Sequence, residues 1–395
     1  MKVLQICHKP PFPPVDGGCL AMDDISNGLI RKGCEVKILT LSTQKHPFLK
    51  NRLTDNYLRT TKIEAVDIST DINPKDALVN LFTKESYNIT RFFSLEFENK
   101  IRTTLQQNVF DIIQLESLFV VPYLSVVQKY SNAKIVYRAH NIEQQIWLEK
   151  YKQESNFFKK SYLKLLYNRL RKFEDVHLNQ FDGIAAISEK DIDSMSVLGN
   201  RKPSVHIPFS INPTRYYPLS AADNSNLFFI GSLDWKPNVD GLDWFLDKCW
   251  PQLKANNNSI TFHIAGKSTP KKYNLLNDPQ IKIHGEVDNA MDFIREQGIM
   301  IVPLFSGSGI RIKVVEGLAL GKAIVATTKA IEGIPVTPKE LIVADNAESF
   351  IKNVELLIGD ENKRKLVGIN ARKFVKENFD NDVITQNLIN FYHTL

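Results

Sequence analysis

Short apolar runs alternate with longer segments of helical period along almost the whole chain. The run Lys2–Ile6 (KVLQI) has the length and branched content of a strand, and the period changes to that of a helix over Gly17–Lys32. Gly33 then stands where a left-handed backbone would end that helix. Further strands are predicted at Glu35–Leu41, Asp111–Leu115, Lys134–Arg138 and Gly183–Ile187. A strand–helix–strand rhythm of this kind predicts a parallel sheet covered by helices on both faces.

The rhythm stops near Val205–Pro218 (VHIPFSINPTRYYP), a proline-bearing stretch without periodicity that reads as a linker. It resumes with strands at Asn226–Ile230, Thr261–Ala265, Lys282–His284, Ile299–Pro303, Ala323–Thr327 and Glu340–Val343. The length of 395 residues also calls for two domains. The expectation is an α/β protein of two doubly wound, Rossmann-like domains facing a central cleft. One domain covers residues 1–206 and the other 207–375, and the final helix, about 376–395, is expected to return to the first. Ligands of such sheets lie beyond the carboxyl ends of the strands.

Composition narrows the class. With 43% hydrophobic and 24% charged residues the chain is ordinary globular protein, and no apolar run reaches the length of a membrane span. The N-terminus reads as a first strand and loop, not a signal peptide. The cysteines Cys7, Cys19, Cys34 and Cys249 form no C-x-x-C pair, which favours free thiols in a reducing, cytoplasmic setting. Residues 1–206 hold 29 Lys+Arg against 23 Asp+Glu, and the remainder 21 against 21, so the whole net charge of +6 belongs to the first half. An anionic acceptor or peripheral contact with an anionic membrane fits that half, as does a lightly basic solvated surface; nucleic acid is not expected. Within Glu154–Phe181, Phe157, Phe158, Leu165, Leu166, Leu170 and Phe173 interleave with Lys159, Lys160, Lys164, Arg169, Arg171 and Lys172. A basic amphipathic helix of this kind lies on anionic lipid or packs its apolar stripe on its own domain.

The richest chemistry lies in VPLFSGSGIRIKVVEGLALGKAIVAT. A strand ends at Pro303, small residues follow through Gly307, Ser308 and Gly309, and Ile312–Leu320 reads as a helix stopped by Gly321. Small residues between strand and helix let backbone amides approach an anion, and the helix N-terminus adds favourable partial charge. Arg311 and Lys313 supply formal charge for a diphosphate, and Glu316 shares a helix face with Lys313, where it can accept from ribose hydroxyls. Together they describe a pocket for a nucleoside diphosphate.

These residues resemble glycosyltransferase family 4, retaining enzymes of the GT-B architecture. The resemblance is strongest over PLFSGSGIRIKVVEGLALGKAIVATTKAIEGI (303–334) and is supported by PPFPPVDGG, RAHNIE, FIGSLDWKPN and HIAGK. It implies a donor held by the second domain at Gly307, Ser308, Gly309, Ile310, Arg311, Lys313 and Glu316. It also implies an acceptor held by the first domain, a glycine loop at Gly17 and Gly18, and His140 as the active-site histidine touching the donor sugar. Two departures stand out. Ser308 replaces the first acid of the family's glutamate pair, and its basic pair falls on Ser232 and Asn238, with Lys236 close by as a substitute. The implied reaction is sugar transfer from a nucleotide-diphosphate sugar to a saccharide or lipid-linked acceptor, in synthesis of an envelope or exported glycan. It is expected to need no metal or other cofactor.

Other motifs are decoys. Asp191-Ile192-Asp193 imitates a metal-binding D-x-D, but Ser188 with Asp191 fits a helix capping box better. Gly266-Lys267-Ser268 lacks the leading glycine of a P-loop. A sugar-nucleotide epimerase or phosphorylase, and a non-catalytic nucleotide-sugar-binding partner, are the alternative functions.

Overall fold

The structure is a computed structural model that describes residues 1–71, 80, 83, 85–212, 216, 225–307 and 309–395. The chain divides into two compact units, Met1–Ser210 with Asn381–Leu395, and Ile211–Asp380. Each is built on a parallel sheet. In the first, β1 (Lys2–Cys7), β2 (Glu35–Ser42), β3 (Glu64–Asp67), β4 (Ile112–Glu116), β5 (Lys134–Ala139), β6 (Gly183–Ala186) and β7 (Ser204–His206) lie in the order β3-β2-β1-β4-β5-β6-β7. In the second, β8 (Leu227–Ile230), β9 (Phe262–Ala265), β10 (Ile281–Gly285), β11 (Ile299–Val302), β12 (Ile324–Ala326) and β13 (Ile342–Val343) lie in the order β10-β9-β8-β11-β12-β13. The order reverses beside the first strand of each sheet, between β1 and β4 and between β8 and β11. Those are the positions at which doubly wound sheets take ligands.

Continuous apolar runs form these strands because helices cover both faces. Every residue of β4, β8 and β11 is buried, and each large aliphatic or aromatic side chain so covered contributes about 1.5–3 kcal/mol. The strands absent from the sequence reading, β3 and β7, are short and form the two edges of the first sheet, where partial exposure dilutes the apolar signal.

The boundary between units differs from the expected 206/207. Val205 lies in β7, and Ile207, Phe209 and Ile211 beyond it are buried. The apolar alternation there carries the first unit to Ser210, whereas the prolines alone had suggested an earlier linker. The chain crosses back at Asp380/Asn381, and Ile211 forms a bridge to Asp380. The returning helix, Asn381–Thr394, puts Leu388, Phe391 and Tyr392 into one cluster with Met22, Ile25 and Leu29 of the helix Gly17–Arg31. Asn381 Nδ2 donates at 2.8 Å to both Asp24 O and Ser210 Oγ.

The basic helix spans Phe157–His177. Leu170 joins the core, with Phe173 packed against it, so its second half packs on its own domain. Phe157 and Phe158 stay exposed, at 75% and 83%.

One close approach fixes a helix against the second sheet. A Cβ at Gly241, in the helix Lys236–Lys248, would stand 1.9 Å from the carbonyl oxygen of Pro303, just after β11. Backbone cannot yield as a flexible side chain can. Gly241→Ala is therefore expected to cost about 1–3 kcal/mol, as overpacking does, and to lower the Tm by several degrees in a thermal melt; an unchanged Tm would refute this packing.

Candidate functional site

At the carboxyl edge of the first sheet, β1, β4 and β5 end side by side and bring His8, Glu116 and His140 together. Glu116 closes β4 with its side chain fully buried, and its Oε2 lies 2.8 Å from His140 Nε2. Its backbone carbonyl accepts from His8 Nδ1 at 2.9 Å. The imidazoles of His8 and His140 stand 6.3 Å apart, edge to face. Burial first, then Lys9 and His140, hold the His8 imidazole well below its usual proton affinity, so it is a neutral ring with the proton on Nδ1.

Gly17 and Gly18 begin the helix behind β1, and Asp16 caps it by accepting from Cys19 N at 3.0 Å. Lys9 Nζ lies 2.7 Å and His46 Nε2 2.9 Å from Asp16 Oδ2. Burial works against the Asp16 carboxylate, yet His46 and Lys9 hold it well below the usual range. A Cβ at Gly18 would meet Lys9 Nζ at 2.9 Å, so the missing side chain makes room for the ammonium.

At the second sheet, the segments after β8 and β11 converge. Lys313 Nζ donates to Asn238 Oδ1 at 2.8 Å and sits 4.4 Å from the centre of the Phe229 ring. Asn238 in turn donates to Ser232 O at 2.8 Å. A Cβ at Gly231 would meet both Asn238 and Lys313, within 3 Å. Burial, then the charge of Arg311, pushes the Lys313 ammonium down to about 7. One turn along the helix Ile312–Ala319, burial pushes the Glu316 carboxyl up to about 7, partly opposed by a 3.3 Å bond from the Tyr216 hydroxyl. No side chain caps this helix, an arrangement suited to an incoming anion.

Gly307 has φ +102°, and a Cβ there would lie 2.6 Å from the Trp235 ring. Backbone and space both demand glycine. Gly309 is also left-handed, at φ +82°, and its carbonyl accepts from Arg311 Nη1 at 2.6 Å. Arg311 is 6% exposed, and its guanidinium lies 5.2 Å from the Trp235 ring centre. The geometry makes Arg311 a brace of the loop, leaving Lys313 as the cation at its mouth. Ile310 packs on Gly333. Ser308 lies outside the described residues.

Lys236 does not join the cluster. Its side chain is 82% exposed, and its ammonium is held 2.7 Å from Asp240, one helical turn on. Such an exposed pair is worth about 0.3–0.5 kcal/mol, and the position that reaches Lys313 is Asn238. Sequence reasoning noted Asn238 only as a departure, and it passed over Glu116, Gln5, Gln114 and His8. His8 had a visible signal, a histidine directly after a strand, as His140 had. Ser188 accepts from Asp191 N at 3.1 Å, so the Asp191–Asp193 motif is a helix start, as its spacing suggests.

Comparison with known proteins bears on this second cluster. Residues 224–360 match the family model "Glycosyl transferases group 1". The chain is a glycosyltransferase carrying a group 1 domain. A protein of the cps region of Klebsiella pneumoniae is 26% identical over 310 residues, 73% of this chain and 76% of that one. The glycosyltransferase MJ1069 of Methanocaldococcus jannaschii is 33% identical over 112 residues, 27% of this chain and 28% of its own. Among solved structures, sucrose-phosphate synthase of Thermosynechococcus elongatus superposes with TM-score 0.72 at 13% identity, covering 100% of this chain and 99% of that one. Anabaena HepE in complex with UDP-glucose superposes with TM-score 0.68 at 14% identity, covering 100% of each. The fold is GT-B, two Rossmann-like α/β domains.

Glu316 makes this cluster costly to maintain. Its carboxyl titrates near 7 in the folded chain against the usual 4.5, so the folded state holds the proton more tightly. That contribution to stability is present below about pH 4.5 and is lost as the pH rises through 7. Glu316→Gln is expected to raise the Tm of the ligand-free protein at pH 8, with a smaller gain at pH 5.5. A variant melting below the wild type at pH 8 would contradict this.

Proposed function

We propose that the chain is a retaining hexosyltransferase that moves a sugar from a nucleotide-diphosphate donor to a saccharide or lipid-linked acceptor during synthesis of an envelope or exported polysaccharide. The observation that carries this reading is the half-buried Lys313 ammonium, held by Asn238 beside the glycine-bearing loop after β11, with Glu316 one turn along. Its position inside the group 1 domain, the cps-region origin of one relative and the UDP-glucose bound by HepE support it.

In this reading the donor diphosphate meets Lys313 and the amides of the Gly307–Gly309 loop, and Glu316 accepts from the ribose hydroxyls. Departure of the nucleoside diphosphate builds negative charge on its phosphate. Lys313, already placed by Asn238 and protonated as the diphosphate arrives, stabilises that charge without rearranging, which is where preorganised electrostatics help most. No step needs a metal. The family resemblance assigns His140 to the donor sugar and Gly17 and Gly18 to a glycine loop, and Gly18 leaves room for the Lys9 ammonium. As the family resemblance implies, the acceptor hydroxyl attacks from the face that the leaving group vacates. Its proton passes to the departing phosphate, and the anomeric configuration is retained.

At pH 8 Lys313, pushed down to about 7, is largely neutral before the donor arrives. A diphosphate restores its charge, so UDP binding is expected to take up a proton. Calorimetry in buffers of different ionisation enthalpy reads this uptake, which Lys313→Gln should abolish along with at least tenfold of UDP affinity. Release of UDP from UDP-glucose should rise with a saccharide acceptor and yield an α-linked product. A β-linked product would refute retention, and binding without turnover under any acceptor would refute transfer.

Peripheral membrane contact belongs to the same reading, supported by Phe157 and Phe158 exposed beside Lys159 and Lys160. No helix among the described residues is long and apolar enough to cross a membrane. Vesicles containing anionic lipid should sediment the protein, and the Phe157→Ser/Phe158→Ser variant should stay in the supernatant; equal sedimentation of both would remove this element.

A further inference from the structure

We propose that Glu116 is the positioning residue for His140, fixing its proton on Nε2 through a buried hydrogen-bond chain anchored at Tyr392 of the C-terminal helix. Its significance for the reaction rests on the reading of His140 given above, whereas the chain itself rests on geometry alone.

Glu116 Oε1 has Gln5 Nε2 at 3.4 Å and also Gln114 Nε2 as partners, while Oε2 faces His140 Nε2 at 2.8 Å. A hydroxyl lies behind each carboxamide. Ser26 Oγ stands 2.6 Å from Gln5 Oε1 and 2.8 Å from Met22 O and shares its one proton between these two acceptors. Tyr392 Oη donates to Gln114 Oε1. A carboxylate only accepts, so both NH2 groups turn toward Glu116 and both amide oxygens toward the hydroxyls. An acceptor-only carboxylate, balanced by the buried Arg138 guanidinium, takes hydrogen bonds on both of its oxygens. His140 Nε2 is then the donor.

Gln5, Ser26, Gln114, Glu116 and Tyr392 are all buried, from 0% to 4% exposed, so water does not compete for these bonds. Burial first, and then Glu116, keep the Tyr392 hydroxyl protonated, hence a donor. Arg138, fully buried with Nη1 donating to Ile207 O at 3.0 Å, is the cation that faces the Glu116 charge. Other titratable groups acting on this cluster are His8, through the Glu116 carbonyl, and Cys7 and Cys34, both held above the usual thiol range.

With Nε2–H committed to Glu116, Nδ1 becomes the variable nitrogen of His140, an acceptor in the neutral ring and a donor in the imidazolium. Glu116→Gln reverses this. The new carboxamide must keep its oxygen toward Gln5 and Gln114, which presents its NH2 to His140 and drives the proton to Nδ1. The change is isosteric, so the fold is expected to persist. Tyr392→Phe deletes one hydroxyl, retains the ring, and frees the Gln114 amide to turn.

Histidine-selective 15N NMR on the full chain reads the tautomer, with His140 assigned by its loss in His140→Asn. The Nε2–H form is expected in the wild type, the Nδ1–H form in Glu116→Gln, and a mixture in Tyr392→Phe. In transfer assays Glu116→Gln should lose more than tenfold in kcat and Tyr392→Phe about threefold, with the UDP Kd within twofold. The alkaline limb of the pH profile should also move in Glu116→Gln, which a loss of packing would not cause. Wild-type protein in the Nδ1–H form, or a tautomer unchanged in Glu116→Gln, overturns the proposal. A shifted tautomer with unchanged turnover upholds the chain and instead overturns the assigned contact of His140 with the donor sugar.

Discussion

Parallel pairing constrains everything else in this chain. In an all-parallel sheet the strands point one way, and each must return through a connection across a face. All the carboxyl ends therefore gather on a single edge. Where the strand order reverses, beside β1 and beside β8, the connections leave in opposite directions and open a gap at that edge. His8, Glu116 and His140 follow or close β1, β4 and β5, while Gly231 and Gly307 follow β8 and β11. Neither group is local in sequence. Pairings such as Cys7 with Glu116, and Glu116 with Arg138, bring the first group together.

The second edge differs from much of the chain in how its helices begin. Away from it, longer helices start on capping side chains, as at Ser94, Asn156, Ser188, Asn346 and Asp360. The helices Lys236–Lys248 and Ile312–Ala319 start with no side-chain cap. Lys313 and Glu316 are both shifted toward neutrality by burial. Each feature costs folding stability and is offset by the apolar sheet beneath, in which Leu227, Phe228, Phe229, Met300 and Ile301 have no exposed surface. A ligand carrying negative charge and hydroxyl donors would relieve these same costs.

The two edges differ in how they treat charge. At the first sheet a fully buried carboxylate is saturated by Gln5, Gln114 and His140. The network is closed, and it orients imidazoles without offering a charge to solvent. At the second, among the described residues, Lys313 donates to the neutral Asn238 and lies over an aromatic face, with no carboxylate paired to it.

Local sequence already specifies the parallel α/β character, nearly all the strands, the helix Gly17–Arg31 with its Gly33 stop, and the loop–helix from Gly307 to Glu316. These are encoded locally, in apolar periodicity, in glycine where φ is positive, and in charges one helical turn apart. It passed over β3 and β7, whose polar, short runs resemble loops, and it placed the domain boundary too early because the prolines masked Ile207 and Phe209. Tertiary structure alone decided which polar groups meet. Nothing in the spacing of Gln5, Ser26, Glu116, His140 and Tyr392 announces a shared network, because pairing between strands distant in sequence and the return of the last helix create it. The same holds for Lys313, where the sequence supplied Lys236 as a neighbour and the fold supplied Asn238. Helix geometry turned Lys236 out toward Asp240 and put Asn238 underneath.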